Sequence, residues 1–223
     1  MNYRHEWKHE INRADRLTLL NRLVAVMDTD SHAIDGVYNI RSLYFDTLND
    51  KALREKINGA AIREKFRIRY YNNDTSYIVL EKKCKVDNLC LKESCTITKD
   101  EAQRLIDGDL SWLIASGKPL CAELYAKIIF EGLRPKTIVD YTRDPFIFAP
   151  GNVRVTMDYN IRTGLMQQDF FNPNLPTLKV PGDPVILEVK WDEYLPEIIK
   201  DIVTLPGRHV TSFSKYEQSR IYD

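Results

Sequence analysis

A cation stands at every second position of REKFRIR, residues 63–69: Arg63, Lys65, Arg67 and Arg69, separated by Glu64, Phe66 and Ile68. Period two is the period of an extended strand, whose alternate side chains share a face and advance roughly 6.6 Å per pair. The four cations therefore span about 20 Å of one strand face, with Phe66 and Ile68 on the other. Alone, such a strand is the wet side of a half-buried sheet. The pattern recurs, however. YRHEWK aligns Arg4, Glu6 and Lys8; VLEKKCK aligns Glu81, Lys83 and Lys85; ILEVK aligns Glu188 and Lys190. VDYTR puts Arg143 in phase with Tyr141, and VRVTMD aligns Arg154, Thr156 and Asp158. At least six strands carry ions on one face and mostly apolar or neutral residues on the other, although Lys82 breaks the alternation.

Strand-like segments lie near 3–11, 37–46, 62–71, 77–85, 90–97, 137–143, 153–161 and 185–191, eight in all. Helical periodicity covers 13–27 after an Asn12 N-cap, 99–107 behind the Thr98/Glu101 capping box, 122–133, and 194–205 with Pro196 in its first turn. The NND segment at 72–74 and the KVDN segment at 85–88 read as hairpin turns, which implies antiparallel pairing. Residues 163–184 carry four prolines and no period, a long excursion between the last two strands.

Two α+β architectures satisfy this pattern. In an open sheet the helices cover the apolar face and the ions meet water. In a closed antiparallel eight-stranded barrel the helices pack outside, and the charged face lines a lumen. An inward row of cations repels itself at low dielectric, so it needs water, carboxylates or a bound polyanion. Glu6, Glu81 and Glu188 would be partial partners or holders of a divalent metal.

Composition narrows the partners. With 32 basic against 32 acidic groups in 223 residues, the chain lacks the cationic excess of a non-specific nucleic-acid binder, so any anion site is local. Its length suits a single domain over residues 1–223. The four cysteines, Cys84, Cys90, Cys95 and Cys121, lack zinc spacing and read as free thiols of a reducing compartment. The charged N-terminus and the lack of a ~20-residue apolar run point to a cytoplasmic protein without a membrane span.

Glu6-Trp7-Lys8, IRSLYFDT, FRIRYY, LEKK, YTRDPF, VRVTMD, ILEVK and SFSKYE occur in that order along residues 3–217. This series resembles the vacuolar transporter chaperone (VTC) catalytic domain, one of the triphosphate tunnel metalloenzymes related to the CYTH superfamily. The resemblance implies the closed barrel and a polyphosphate polymerase: an ATP-polyphosphate phosphotransferase that moves the γ-phosphate of ATP onto a growing inorganic polyphosphate chain. It also implies a Lys/Arg-lined tunnel with Mn²⁺ or Mg²⁺. Phosphoryl transfer needs positioning and charge neutralisation more than a protein nucleophile, which suits a cationic site. Arg4, where many superfamily members carry the first Glu of Glu-x-Glu-x-Lys, favours the polymerase branch.

The same resemblance assigns roles. Arg67 and Arg69 match the paired phosphate-binding arginines, and Lys8, Lys83, Arg143, Arg154 and Lys215 match further catalytic tunnel positions. Lys56, Lys92, Lys190, Ser214 and Tyr141 are the substrate-binding candidates; Glu188 and Glu6 are the metal candidates. Asp158 would orient an arginine, Arg63 and Lys65 would steer phosphate or simply face water, and Tyr44, Tyr70 and Tyr71 would stack on a base or pack. The alternatives are a metal-dependent triphosphatase and a non-catalytic polyphosphate-binding module. Partners are ATP and polyphosphate, not nucleic acid, with room for a separate membrane partner.

Overall fold

Period-two alternation is realised as long antiparallel strands. The computed structural model describes residues 4–86 and 89–221, in the order β1 (His5–Ile11), α1 (Arg13–Val24), β2 (Asp28–Thr29), β3 (Tyr38–Asp46), α2 (Lys51–Ile57), β4 (Ile62–Tyr71), β5 (Asp74–Val86), β6 (Leu89–Ile97), α3 (Lys99–Ile106), α4 (Ser111–Ala115), α5 (Pro119–Glu131), β7 (Arg134–Phe148), β8 (Val153–Gly164), β9 (Leu178–Lys179), β10 (Val185–Trp191), α6 (Glu197–Val203) and α7 (Lys215–Ser219). All eight expected strands form; β2 and β9 are two-residue additions. The short helices α2, α4 and α7 were not expected, because five to seven residues carry too little periodicity to register. Tyr3, the start of the first expected strand, and residues 87 and 88 of the second expected turn lie outside the described residues.

Local chemistry accounts for the element ends. Asn12 Oδ1 accepts from Asp15 N at 2.8 Å while Asn12 N donates to Asp15 Oδ2 at 3.1 Å, a reciprocal box at the start of α1. Thr98 and Glu101 repeat the device at α3, with bonds of 3.1 and 2.8 Å. The β4–β5 hairpin turns on Asn72 and Asn73, both at positive φ (51° and 57°), as a tight turn matched to strand twist demands.

The chain divides into two compact units. The first comprises residues 1–39, 141–161 and 179–215. In it β1 pairs with β10 and β10 with β8, all antiparallel, and β2 lies along β7. Its core joins Leu19 and Leu23 of α1 and Ile199 and Val203 of α6 to Val155, Met157, Leu187 and Val189. The second comprises residues 40–140, 162–178 and 216–223. There β3, β4, β5 and β6 pair in sequence. Leu43, Phe66, Ile68, Ile78 and Leu80 pack against Ala102, Leu105, Leu113, Leu120 and Leu124 of α3, α4 and α5. Phe66 and Ile68 are 1% and 0% exposed, which puts the REKFRIR cations on the face away from the helices. Lys82 is explained too. It lies on the helix side of β5, ion-paired with Glu123 of α5, with Glu93 at 3.6 Å and with Glu64 at 3.8 Å.

The antiparallel α+β class stands, but not the closed barrel. The ladder order is β1-β10-β8-β7-β3-β4-β5-β6, with β1 and β6 at its ends and no ladder joining them among the described residues. The outer edge of β1 is already engaged: His9 bridges Val210, and Thr211 N donates to Lys8 O at 2.8 Å. A strand edge has one row of hydrogen-bonding groups, so a segment docked there takes the groups that closure needs.

Candidate functional site

In the second unit three cations converge on Glu81. Register sets Tyr44, Arg67, Glu81 and Ser94 side by side across β3, β4, β5 and β6. Arg67 Nε donates to Glu81 Oε2 at 2.7 Å, Arg69 Nε lies 3.4 Å from the same oxygen, and Lys92 Nζ lies 2.5 Å from Oε1. Burial opposes the charge of Glu81, but Arg67, Arg69 and Lys92 outweigh it and hold the carboxyl well below its usual range. Tyrosines orient the guanidiniums: Arg67 Nη1 donates to the Tyr44 hydroxyl at 2.7 Å, and Arg69 Nη1 to that of Tyr71 at 3.3 Å. Tyr70 instead points to the core, its hydroxyl bonded to Phe170 O at 3.0 Å.

One step along the strands, Lys65, Lys83 and Lys92 stand directly opposite one another across β4, β5 and β6. Like charges in that relation repel. Burial, with Lys56, Lys83 and Arg63 nearby, lowers the Lys65 ammonium to about 8. Lys65 Nζ sits 5.3 Å from the Tyr216 ring centroid, and Lys56 Nζ is held 3.2 Å from Glu217. Arg63 and Lys85 form the next opposed pair, and Arg63 donates to Ala60 O at 2.7 Å. Around Glu81, the cations Lys65, Arg67, Arg69, Lys83 and Lys92 thus gather on one face.

The first unit carries a more balanced face. Register places Lys8, Glu188 and Thr156 in one row across β1, β10 and β8, and Glu6, Lys190 and Arg154 in the next. Lys8 Nζ lies 2.6 Å from Glu6 Oε1 and 3.9 Å from Glu188 Oε1, and Lys190 Nζ 2.7 Å from that same Glu188 oxygen. Burial opposes the charge on Lys8, yet Glu188 and Glu6 raise its pKa above the usual lysine value. Arg143 grips Asp158 through two bonds of 2.6 and 2.9 Å, and its Nη2 reaches to 3.7 Å from Glu188. Lys215 ion-pairs with Asp158 and lies 4.6 Å from the Tyr141 ring centroid. Burial raises the Asp158 carboxyl, but Arg143 and Lys215 dominate and bring it down to about 2. Arg154 Nη2 pairs with Asp30 at 3.0 Å, while its Nε is buried without a hydrogen-bond partner among the described residues. Ser214 directly precedes Lys215 and is half-buried.

The structure therefore gathers Glu6, Lys8, Tyr141, Arg143, Lys190, Glu188 and Lys215 in one unit, and Lys56, Arg67, Arg69, Lys83 and Lys92 in the other. Glu81, the hub of the second group, was expected from the sequence as a partial partner of the cations or a holder of a metal, and the structure pairs it with Arg67, Arg69 and Lys92. Asp30 and Thr156 were missed.

Among the described residues no group of three or more His, Cys, Asp or Glu side chains is placed to hold a metal. A divalent ion that takes most of its ligands from phosphate and water is a different case, since one or two carboxylates suffice. Glu188 and Glu6 supply those. Thr156, opposite Glu188, offers a buried hydroxyl that has no hydrogen-bond partner among the described residues. The donor set fits such an ion.

A model of the VTC domain matches residues 3–221. The chain belongs to the VTC domain family. Among solved structures, this VTC domain is similar to a putative adenylate cyclase from Bacillus halodurans, with 13% identity, coverage of 90% of this chain and 91% of that one, and a TM-score of 0.51. It is also similar to the PH1819 protein from Pyrococcus horikoshii OT3, with 14% identity, coverage of 90% and 84%, and a TM-score of 0.48. At 13% identity the likeness to the putative adenylate cyclase concerns the fold alone. No curated protein matches the chain.

Proposed function

We propose that this VTC domain acts over its whole length as a polyphosphate polymerase, transferring the γ-phosphate of ATP to a growing polyphosphate chain. The observation that carries the proposal is the convergence of Arg67, Arg69 and Lys92 on Glu81 beside the opposed lysines 65, 83 and 92. Cations gathered this closely on one face are stabilised by a ligand carrying many negative charges, and guanidinium forks match phosphate oxygens. In this reading Arg67, Arg69, Lys83 and Lys92 hold phosphates and Lys56 supplies a further contact. Lys8, Tyr141, Arg143, Arg154, Lys190, Ser214 and Lys215 position the phosphoryl group. Asp158 keeps Arg143 and Lys215 in place. Glu188, with Glu6, would hold a Mn²⁺ or Mg²⁺ ion, which supplies charge neutralisation at phosphoryl oxygens when bound. The Lys/Arg-lined tunnel that the family resemblance implied belongs to this proposal.

Incubation of the pure protein with ATP and manganese tests it. Long polyphosphate on a gel supports the polymerase. Orthophosphate alone replaces it with a triphosphatase, and salt-sensitive binding without turnover replaces it with a binding module. Arg67→Ala and Arg69→Ala are each expected to lose about 2–4 kcal/mol of transition-state stabilisation, roughly thirty- to a thousand-fold in rate. Rates within a factor of about two of the parent would remove this face from the reaction.

A further inference from the structure

On the helix-covered side of the second unit's sheet, two thiols face each other. Cys95 of β6 and Cys121 in the first turn of α5 bring their Sγ atoms to 3.8 Å. Cys121 is fully buried and Cys95 is partly exposed, both against the same apolar core. Alternation along β6 puts Cys95 on the face opposite Lys92 and Ser94, with Leu80 as its ladder partner. Cys84 and Cys90 cannot form the equivalent pair. Cys84 shares the helix side with Lys82, whereas Cys90 stands opposite Lys85 on the cationic side.

We propose that Cys95 and Cys121 are a site of reversible disulfide modification, formed by exchange with a low-molecular-weight disulfide. The partly exposed Cys95, as thiolate, attacks one sulfur of the small disulfide RSSR; an S–S bond forms to Cys95 and one RS⁻ leaves. Cys121 then attacks the Cys95 sulfur, forms the Cys95–Cys121 bond and expels the second RS⁻. Two protein thiols are oxidised, one RSSR is reduced to two RSH, and the two thiol protons pass to the departing thiolates. In the reduced pair the hydrogen bond between the thiols pushes Cys95 up, with burial adding to it, and draws Cys121 down against burial, so Cys95 attacks only from the fraction of molecules in which it has lost its proton. Once its sulfur is in the mixed disulfide that hydrogen bond is gone, and Ser116 and Lys118 remain to favour the Cys121 thiolate. The resulting link would tie the edge strand β6 to α5 on the face away from Lys92, and it does not depend on the phosphoryl-transfer reading.

The test uses the full chain incubated with oxidised glutathione, alkylated, digested with trypsin and mapped by mass spectrometry. Cleavage after Lys99 and Arg104 separates the two cysteines, so only a disulfide keeps their peptides joined. The expected result is a Cys95–Cys121 linked peptide that dithiothreitol removes, together with a rise in Tm of roughly 5–10 °C in the oxidised protein. Cys121→Ser is expected to stop at a mixed disulfide on Cys95, and Cys95→Ser to give no link. Wild-type protein that shows only glutathione adducts, or a link involving Cys84 or Cys90, overturns the assignment without recourse to any variant.

Discussion

At the scale of single residues, buried carboxylates organise both charged faces. Glu81 is 2% exposed and answers to three cations, so removing its charge takes from Arg67, Arg69 and Lys92 the carboxylate they share. Breaking a buried pair of this kind costs roughly 3–5 kcal/mol. Glu81→Gln is therefore expected to lower Tm, and inorganic tripolyphosphate to restore more of it in the variant than in the parent, as read by thermal unfolding with and without the ligand. Asp158 gives a pH test. Its folded pKa, held down to about 2 by Arg143 and Lys215, lies below the unfolded value. A depressed carboxylate contributes stability that is present above the unfolded pKa and lost as pH falls through the folded one. About 2 kcal/mol should thus disappear between roughly pH 4 and pH 2. Denaturant titrations across that window are expected to show a steeper pH dependence in the parent than in Asp158→Asn; equal slopes would contradict the assignment.

At the scale of elements, the strands were legible because both of their faces carry information. Phe66 and Ile68 under α3–α5 and Arg67 and Arg69 on the opposite face write a period of two that no helix satisfies. Caps were equally readable: Asn12 and Thr98 each close a reciprocal box. Thr98→Ala is expected to cost about 1 kcal/mol, measured by urea unfolding, since α3 then loses the acceptor for Glu101 N. The short helices were not readable. Lys56 rides on the seven-residue α2, whose left-handed Asp50 N-cap makes no side-chain cap bond, so no local signal announced it. Likewise the Val210–Thr211 segment that docks on β1 has no period of its own; its place follows from hydrogen bonds to Lys8 and His9 near the other end of the chain.

At the scale of the whole molecule, charge is balanced globally and concentrated locally. The chain sums to zero formal charge, while Lys65, Arg67, Arg69, Lys83 and Lys92 gather on the face around Glu81. Binding of inorganic tripolyphosphate is therefore expected to be tight at low salt and to weaken steeply as salt rises, whereas duplex DNA, which needs an extended cationic surface, is expected not to bind at physiological salt; fluorescence competition measures both. No helix of the described residues is long and apolar enough to cross a membrane. What the sequence by itself determined is the antiparallel α+β class, the strands and which face of each is charged, because alternation and capping act between neighbours in the chain. Family membership was legible too, from an ordered series of short strand motifs. Only the tertiary structure decided register, and with it that Lys92 and Arg69 share Glu81, that Lys65, Lys83 and Lys92 stand in one row, that Cys95 meets Cys121, and that the Val210–Thr211 segment takes the outer edge of β1. Those outcomes depend on which strand lies beside which and at what offset, and pairing between distant segments leaves no trace in local periodicity.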